Sequence, residues 1–430
     1  MDVFEKLNLL GEGAQFEAVS SSTSHRKTKR TIALPGTAAL CTSGESHGSS
    51  NRQAKIMRVL QTNRCDRGCS YCPLRSQNDK VRRQSFGPDE LAKLFLEFQG
   101  RGMANGLLLS SGADNGADAA MEQVVKTAMI LRQKFRYGGY IHLKVLPGTS
   151  LPLIEEAARL ADRLSVNLEA PSAERLGALS AEKNFFSDII MRMEWIEKLR
   201  QEHGWLPAGQ STQMIVGAGL ETDREILKTT GWLYRDKGLR RVYYGAFSPA
   251  IGTPLEGSAP PSARRQQRLY QSDWLISQYG FSFDELPFTS DGSLPQNLDP
   301  KVAWALQHLE LFPLELNKAE PEELLRVPGL GLVSVARILE LRPHARFKTL
   351  EHLKKTGAAT NRARDFITLD GRYFGAPHDL LRKAANRQLS ATTISRRPSL
   401  ATQLTLPFQW ERENVLPARL PASLADYGFD

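Results

Sequence analysis

The sequence predicts an α/β protein built on a parallel sheet, and two observations carry that expectation. From Ala54 onward, six short β-rich runs alternate with longer helical patterns, the order that right-handed crossovers require. A cysteine-dense loop directly follows the first of those runs, at the strand end where such sheets place their chemistry. Periodicity alone leaves two architectures open, an open doubly wound sheet and a partial barrel.

Ahead of the sheet, residues 3–10 read as a short helix. Residues 11–52, rich in Ser, Thr, Gly and Lys, read as loop or partly disordered chain, so 1–53 stands apart as an N-terminal segment. The first strand is 56–61. Residues 88–99 form a helix because Leu91, Leu94, Phe95 and Phe98 fall on one face. The second strand, 107–110, is followed by a helix over 121–135. Strand 140–146, helix 152–160 and strand 164–168 come next. After a longer stretch follow strand 213–216, helix 223–236 and strand 241–244. The sheet domain is expected to span 54–300.

At 430 residues the chain is long enough for one large domain and one or two small ones. Four cysteines, three of them clustered, make no disulfide framework, so a reducing cytoplasm is the natural compartment. The N-terminal residues lack a basic stretch followed by an apolar run, and no segment approaches the roughly 20 apolar residues that span a bilayer. Secretion and membrane insertion are therefore not expected. The formal charge of +9 favours a polyanionic partner.

Cys65, Cys69 and Cys72 lie within one eight-residue run, spaced so that three thiolates converge on one side of a tight loop. Three sulfurs can hold three irons of a cubane cluster and leave the fourth iron open. An electron-carrying cluster calls for a fourth cysteine. A zinc site calls for two pairs, or a pair with nearby histidines; the nearest histidine is His47.

This spacing, with Tyr71 just before the last cysteine, resembles the radical S-adenosylmethionine (SAM) enzymes. The resemblance selects a partial (β/α)6 barrel and implies a 4Fe-4S cluster on Cys65, Cys69 and Cys72. Its open iron would chelate the amino and carboxylate groups of SAM, with Tyr71 beside the adenine. A flavodoxin or ferredoxin would supply the electron. The second strand runs into Ser110, Ser111 and Gly112, where the family often carries Gly-Gly-Glu to bind the SAM amino group. Asn167 and Glu169 offer polar groups at ribose or methionyl height, and Ile215 and Gly217 match the adenine-side strand.

Other residues are left open at this level. His142 and Lys144 lie two apart and share a face, either inward or toward solvent. Of Tyr243 and Tyr244, one reaches the pocket and the other the core. Arg264, Arg265 and Arg268 form a solvated basic face or a phosphate contact. Cys41 is a core thiol, a hydrogen donor or a ligand.

Residues 314–374 read as a second, small all-α domain. Pro321 opens a helix, the hairpin Pro328, Gly329, Leu330 and Gly331 follows, and a second helix carries Val335, Ile338 and Leu339 as its apolar stripe. The pattern resembles a helix-hairpin-helix motif, whose bare glycines expose backbone N–H groups to one phosphate. Such a contact positions a duplex without reading its bases. A weaker copy follows, in which Leu353 answers Leu325, Gly357 answers Gly329, Ala363 answers Val335 and Phe366 answers Ile338. Lys354, Lys355, Arg362 and Arg364 add electrostatic attraction.

Residues 375–430 read as a disordered basic tail. Within it Gln403, Leu404, Leu406 and Phe408 resemble the short peptide by which bacterial repair proteins dock on the sliding clamp. Taken over residues 56–374, the whole resembles the DNA modification and repair radical SAM proteins, associated with a uracil-DNA-glycosylase-like partner. That resemblance implies a DNA-modifying or DNA-repairing radical SAM enzyme that binds duplex without sequence preference. Two competing readings are an RNA-modifying radical SAM enzyme and a non-catalytic iron–sulfur DNA-binding sensor or scaffold.

Overall fold

The computed structural model describes residues 3–14, 40–42 (backbone only) and 55–375. The expected clamp peptide therefore lies outside the described residues, as does the side chain of Cys41. The chain divides into two compact units, Met1–Tyr270 and Gln271–Asp430. The division falls inside one helix, α8 (Ala263–Gln278), ahead of residue 300.

The first unit opens with α1 (Val3–Gly13) and a short strand, β1 (Leu40–Thr42). Six strands follow: β2 (Lys55–Leu60), β3 (Gly106–Ser110), β4 (Tyr140–Val145), β5 (Arg163–Val166), β6 (Gln210–Val216) and β7 (Arg241–Ala246). They stand side by side in chain order, and each neighbouring pair from β2 to β7 is parallel. The sheet curls into a half-barrel, the partial (β/α)6 fold. β1 pairs antiparallel at the β2 edge, with Cys41 opposite Ile56. It is only three residues long within a Ser/Thr/Gly-rich stretch, so it leaves no period in the sequence.

Local chemistry explains the helices. In α2 (Pro88–Gly100) the proline occupies the first turn, where its missing N–H is harmless, and Leu91, Leu94, Phe95 and Phe98 are buried. α3 (Ala117–Met129) runs into a π-helical turn, Ile130–Lys134, and α4 (Leu151–Leu160) follows β4. The stretch the sequence left unassigned holds α5 (Ala173–Leu179), a π-helical segment Phe185–Ile190 and α6 (Met191–His203). α6 buries only Met193, Ile196 and Leu199 among many charged residues, a stripe too thin to announce a helix. α7 (Asp223–Asp236) starts on a capping box: Thr222 Oγ accepts from the Glu225 N–H, and the Glu225 carboxylate accepts from the Thr222 N–H.

The strands explain what fills the barrel. Ile141, Leu143, Leu164 and Val166 are fully buried apolar residues of one face. The opposite face carries His142, Lys144, Ser165, Ser211 and Gln213, also buried although polar. Register places Arg58 beside Leu108, Leu108 beside His142 and His142 beside Arg163, so these four point to the same side.

In the second unit, α9 (Pro300–Gln307), α10 (Pro321–Arg326), α11 (Leu332–Leu341), α12 (Leu350–Lys355) and α13 (Thr360–Ala363) are joined by a small sheet. Its strands are β8 (Leu314–Glu315), β9 (Ile367–Leu369) and β10 (Arg372–Tyr373), in the order β10-β9-β8. The expected all-α module is thus corrected to α+β. Asp370 and Gly371, with φ of 52° and 77°, make the two-residue turn that pairs β9 with β10. The Glu315 carboxylate accepts from the N–H groups of both turn residues, at 3.1 and 2.8 Å. The same sheet cuts the second hairpin copy short. Phe366, matched to helical Ile338 in the sequence, sits after the four-residue α13, just before β9.

Among the described residues no helix is long and apolar enough to cross a membrane.

Candidate functional site

The cysteine loop leaves the C-terminal end of β2 and is fastened on several sides. Backbone bonds continue the β2–β3 pairing past the strands, from Gln61 N–H to Ser110 O, Gly112 N–H to Thr62 O and Asp66 N–H to Ala113 O, each 2.8 Å. From the segment after α5, the Glu182 carboxylate accepts from the Gly68 N–H at 2.8 Å, and the Glu182 carbonyl accepts from Arg67 at 2.8 Å. The Leu179 carbonyl accepts from both the N–H and the hydroxyl of Ser70. The Arg83 guanidinium donates to the carbonyls of Asn63, Leu74, Arg75 and Asn78, at 2.7, 2.8, 2.6 and 3.2 Å. No local pattern marked Arg83 or Glu182: Arg83 serves four backbone carbonyls 5 to 20 residues before it, and Glu182 meets Arg67 and Gly68 across 115 and 114 residues.

Gly112 has a specific steric duty here. A Cβ at that position would lie 2.1 Å from the Arg64 carbonyl oxygen and 3.3 Å from Cys65 Cβ. Its N–H and carbonyl are bonded to Thr62 O and Ser111 Oγ. The structure therefore assigns Gly112 to the packing of β3's end against the cysteine loop, beside the buried Ser110 and Ser111.

The three thiols are set in mostly apolar surroundings. Cys69 is buried and its thiol donates to Ser180 Oγ at 3.3 Å. Cys65 is half-buried against an apolar cluster of Ala113, Ala120 and Leu146. Burial pushes the Cys65 thiol above its ordinary value, and burial pushes the Cys72 thiol up to about 12. Such thiols become thiolates only beside a strong positive charge, which metal coordination supplies. Among the described residues no three His, Cys, Asp or Glu side chains form a single-ion site. Three soft sulfur donors on one loop fit a cluster, whose ligands bind separate irons.

Tyr71 is joined to a buried polar group beside the loop. Lys183 Nζ donates to Tyr71 Oη at 3.1 Å and pairs with Glu169 at 3.4 Å; the lysine and glutamate side chains are 9% and 8% exposed. Asn167 donates to the same carboxylate at 3.3 Å. Glu169 holds a left-handed backbone, φ 65°, fixed between Gln213 O and Ile215 N–H. Burial, then the Glu169 charge, drives the Tyr71 hydroxyl well above its usual range. For Lys183 burial opposes the charge, but Glu169 and the neighbouring Cys69 and Cys72 outweigh it, so the ammonium is retained. The structure thus brings Tyr71, Asn167 and Glu169 together and adds Lys183, which the sequence gave no reason to single out. Lys183→Met would strand a buried carboxylate and should cost about 3 kcal/mol or more. Adding Glu169→Gln should recover most of that loss in anaerobic urea denaturation of cluster-loaded protein; an unchanged midpoint in the single variant would refute the coupling.

Beside this group the polar face of the strands borders a small, partly open chamber of about 10 Å³, lined by Leu108, His142, Lys144, Asn167, Gln213 and Tyr243, among others. His142 and Lys144 thus face inward. His142 Nε2 and Ser165 Oγ are 2.8 Å apart. Burial, with Arg163 adding, pulls His142 down to about 3, so it is neutral; burial pulls Lys144 down to about 7. Tyr243 lines the chamber, whereas Tyr244 is fully buried and bonds Thr230 at 3.0 Å.

The strand-six end is built around Gly217. It has φ 91°, and a Cβ there would lie 2.9 Å from Pro261. Glu221 accepts from the N–H groups of Gly217 and Gly219, at 2.6 and 2.9 Å. Arg265 pairs with Glu221 at 3.4 Å and Asp223 at 2.7 Å, so it anchors this turn, while Arg264 is exposed. Ile215 is nearly buried on the same strand.

Residues 59–233, which include all three loop cysteines, match the sequence profile of the Radical SAM superfamily. These residues are a radical SAM domain. Its cofactors are a 4Fe-4S cluster and SAM. Similar solved structures include methylornithine synthase (PylB), at 17% identity over 50% of this chain and 60% of that one, with a TM-score of 0.41. The FeFe-hydrogenase maturase HydG from Carboxydothermus hydrogenoformans is 15% identical over 50% of each chain, TM-score 0.41. A radical SAM methyltransferase from Sphaerobacter thermophilus is 18% identical over 51% of this chain and 62% of that one, TM-score 0.39. The chain thus spans about half to three fifths of the length of these structures. No curated protein matches the chain.

Outside the radical SAM domain, the hairpin of the second unit has its own geometry. Gly329 and Gly357, the matched positions of the two copies, have φ of 89° and 88°. A Cβ on Gly329 would lie 2.6 Å from the Ala359 carbonyl oxygen, and the Gly329 carbonyl accepts from the Ala359 N–H at 2.9 Å. Gly329 is therefore the contact between the two copies. Gly331 heads α11, and its N–H donates to Ser334 Oγ at 2.8 Å. The Leu332 N–H donates to the Tyr279 hydroxyl. Lys301 donates to the Leu330 carbonyl at 2.6 Å, and burial pulls this amine down to about 7. Pro328 completes the turn between α10 and α11.

Proposed function

We propose that the chain is a radical SAM enzyme acting on nucleic acid, DNA before RNA, in modification or repair. The single observation behind the choice of polymer is the paired hairpin, two copies turned on glycines of matching left-handed geometry. The Gly331 N–H at the start of α11 suits a phosphate oxygen, which would take over the bond now made to the rotatable Ser334 hydroxyl. Lys354, Lys355 and Arg364 on the same module supply positive charge.

When bound, the cluster and SAM supply reductive carbon–sulfur cleavage and a 5′-deoxyadenosyl radical that takes a hydrogen atom from substrate. The chain's own part is positional. Cys65, Cys69 and Cys72 would hold the cluster, and Tyr71, Asn167, Glu169, Ile215 and the turn at Gly217 would receive SAM. The barrel would have to keep water from the reacting atoms. A stacked base cannot enter a barrel, so the target is unpaired or turned out of the duplex. An acidic flavodoxin or ferredoxin would reduce the cluster, and a uracil-DNA-glycosylase-like protein and the sliding clamp are the proposed partners in repair.

Duplex binding by the full chain should fall steeply with salt and show little sequence preference. Gly331 tests the hairpin, because a Cβ there meets nothing closer than 3.4 Å and its backbone is extended rather than left-handed. Gly331→Val should fold normally yet weaken duplex binding by about tenfold, the value of one charge-assisted phosphate contact. Unchanged anisotropy in that variant would move the module to protein docking. Tighter binding of structured RNA than of duplex would favour the RNA reading.

A further inference from the structure

We propose that the turn 179–183 sets the reduction potential of the cluster, with the Ser180 hydroxyl and the Lys183 ammonium stabilising the added electron and the Glu169 carboxylate opposing them. The inference rests on the cluster and its three cysteine ligands and is independent of the choice of polymer.

The turn lies along the middle of the cysteine loop, and each loop residue from Arg67 to Tyr71 bonds to it. Arg67 donates to the Glu182 carbonyl and the Gly68 N–H to the Glu182 carboxylate, both at 2.8 Å. The Cys69 thiol donates to Ser180 Oγ at 3.3 Å. The Leu179 carbonyl takes the N–H and the hydroxyl of Ser70, each at 2.9 Å, and Lys183 reaches Tyr71 Oη at 3.1 Å. The turn is also fixed from within. The Ser180 N–H donates to the Leu176 carbonyl at 2.8 Å, and the Lys183 N–H to the Ser180 carbonyl at 3.4 Å. Ser180 and Lys183 are thereby held in place relative to the sulfurs.

Both side chains act on sulfur. A cysteine that ligates iron does so as a thiolate, with no proton left to donate. The Cys69–Ser180 bond then runs the other way, the Ser180 hydroxyl donating to the sulfur. Both residues are buried, so water competes little for that bond. The buried Lys183 ammonium attracts the charges of Cys69 and Cys72, weakly screened by solvent. Glu169, 3.4 Å from the ammonium, carries the opposing charge.

One electron from an external donor makes the cluster more negative by one charge, and no bond or proton need change hands. Hydrogen bonds to the sulfurs and the net charge nearby are among the terms that set such a potential. A donated hydrogen bond and a cation favour the reduced state and raise the potential, whereas a carboxylate lowers it. A salt bridge that served the fold alone would not give the two partners opposite effects.

Those signs are the test. Full-length protein, reconstituted anaerobically without SAM, is titrated with dithionite in the presence of redox mediators. Electron paramagnetic resonance follows the reduced cluster, and iron and sulfide counts establish equal loading. Ser180→Ala should lower the midpoint by about 59 mV, equivalent to about tenfold in a one-electron equilibrium, in line with one hydrogen bond to a charged acceptor. Ser180→Thr keeps the hydroxyl and should stay near wild type. Glu169→Gln should raise the midpoint, Lys183→Met should lower it, and the Lys183→Met/Glu169→Gln double variant should fall between those two. An unchanged midpoint in Ser180→Ala, or no rise in Glu169→Gln, overturns the inference and leaves the cluster assignment standing. These two variants decide it even where Lys183→Met fails to fold. Wild type that takes up no reducible cluster would overturn the cluster assignment and this inference with it.

Discussion

Cys65→Ala, Cys69→Ala and Cys72→Ala should each emerge from anaerobic reconstitution without a 4Fe-4S cluster, whereas Cys41→Ala should load fully. The loop supplies three sulfurs and no substitute: among the described residues, no other group of three metal-ligating side chains stands ready. Each thiol is held at a different point of the loop, Cys69 by Ser180 and Cys65 against Ala113. Losing one ligand leaves an iron exposed, in a pocket where burial pushes the Cys65 and Cys72 thiols toward protonation. Iron and sulfide content with visible absorbance reads the result. Full loading of any of the three loop variants would contradict the ligand set.

Gly112→Ala should be nearly as damaging, although Gly112 need touch no cofactor. The added methyl would sit 2.1 Å from a backbone oxygen, and neither the end of β3 nor the cysteine loop can yield without breaking the bonds that join them. Overpacking of this kind costs about 3 kcal/mol or more. The cost falls on the loop that carries the ligands, so cluster retention after gel filtration should drop along with the unfolding midpoint. Ser111→Ala is the control. It removes one hydrogen bond to the Gly112 carbonyl and should cost about 1 kcal/mol. Equal stability of Gly112→Ala and wild type would show that β3 can move away from the loop.

Much of this arrangement was legible in the sequence, for identifiable reasons. The six parallel strands repeat an apolar period, and α7 is bounded by its own capping box, so its ends were readable at Asp223 and Asp236. The cysteine spacing is local and chemically specific. What escaped is non-local. Lys183 reaches Tyr71 across 112 residues, and Arg67 meets Glu182 across 115. Arg265 looked like one of several surface cations, yet it closes on Glu221 and Asp223. The β8–β10 sheet escaped for the opposite reason. Its strands are two or three residues long, too short for a period, and only the Asp370-Gly371 turn signalled it. The side of the sheet that His142 and Lys144 occupy was undecidable from alternation, because both faces of β4 are buried.

If the loop cysteines, Tyr71 and the barrel form a site for reductive SAM cleavage, as proposed, 5′-deoxyadenosine is the product that reveals it. Reconstituted wild-type protein, reduced with dithionite under anaerobic conditions and given SAM, is assayed for 5′-deoxyadenosine by chromatography, with Cys69→Ala in parallel. Wild type should yield the product and the variant none. Cluster-replete wild type that yields no 5′-deoxyadenosine would contradict it, and would favour an iron–sulfur sensor over an enzyme.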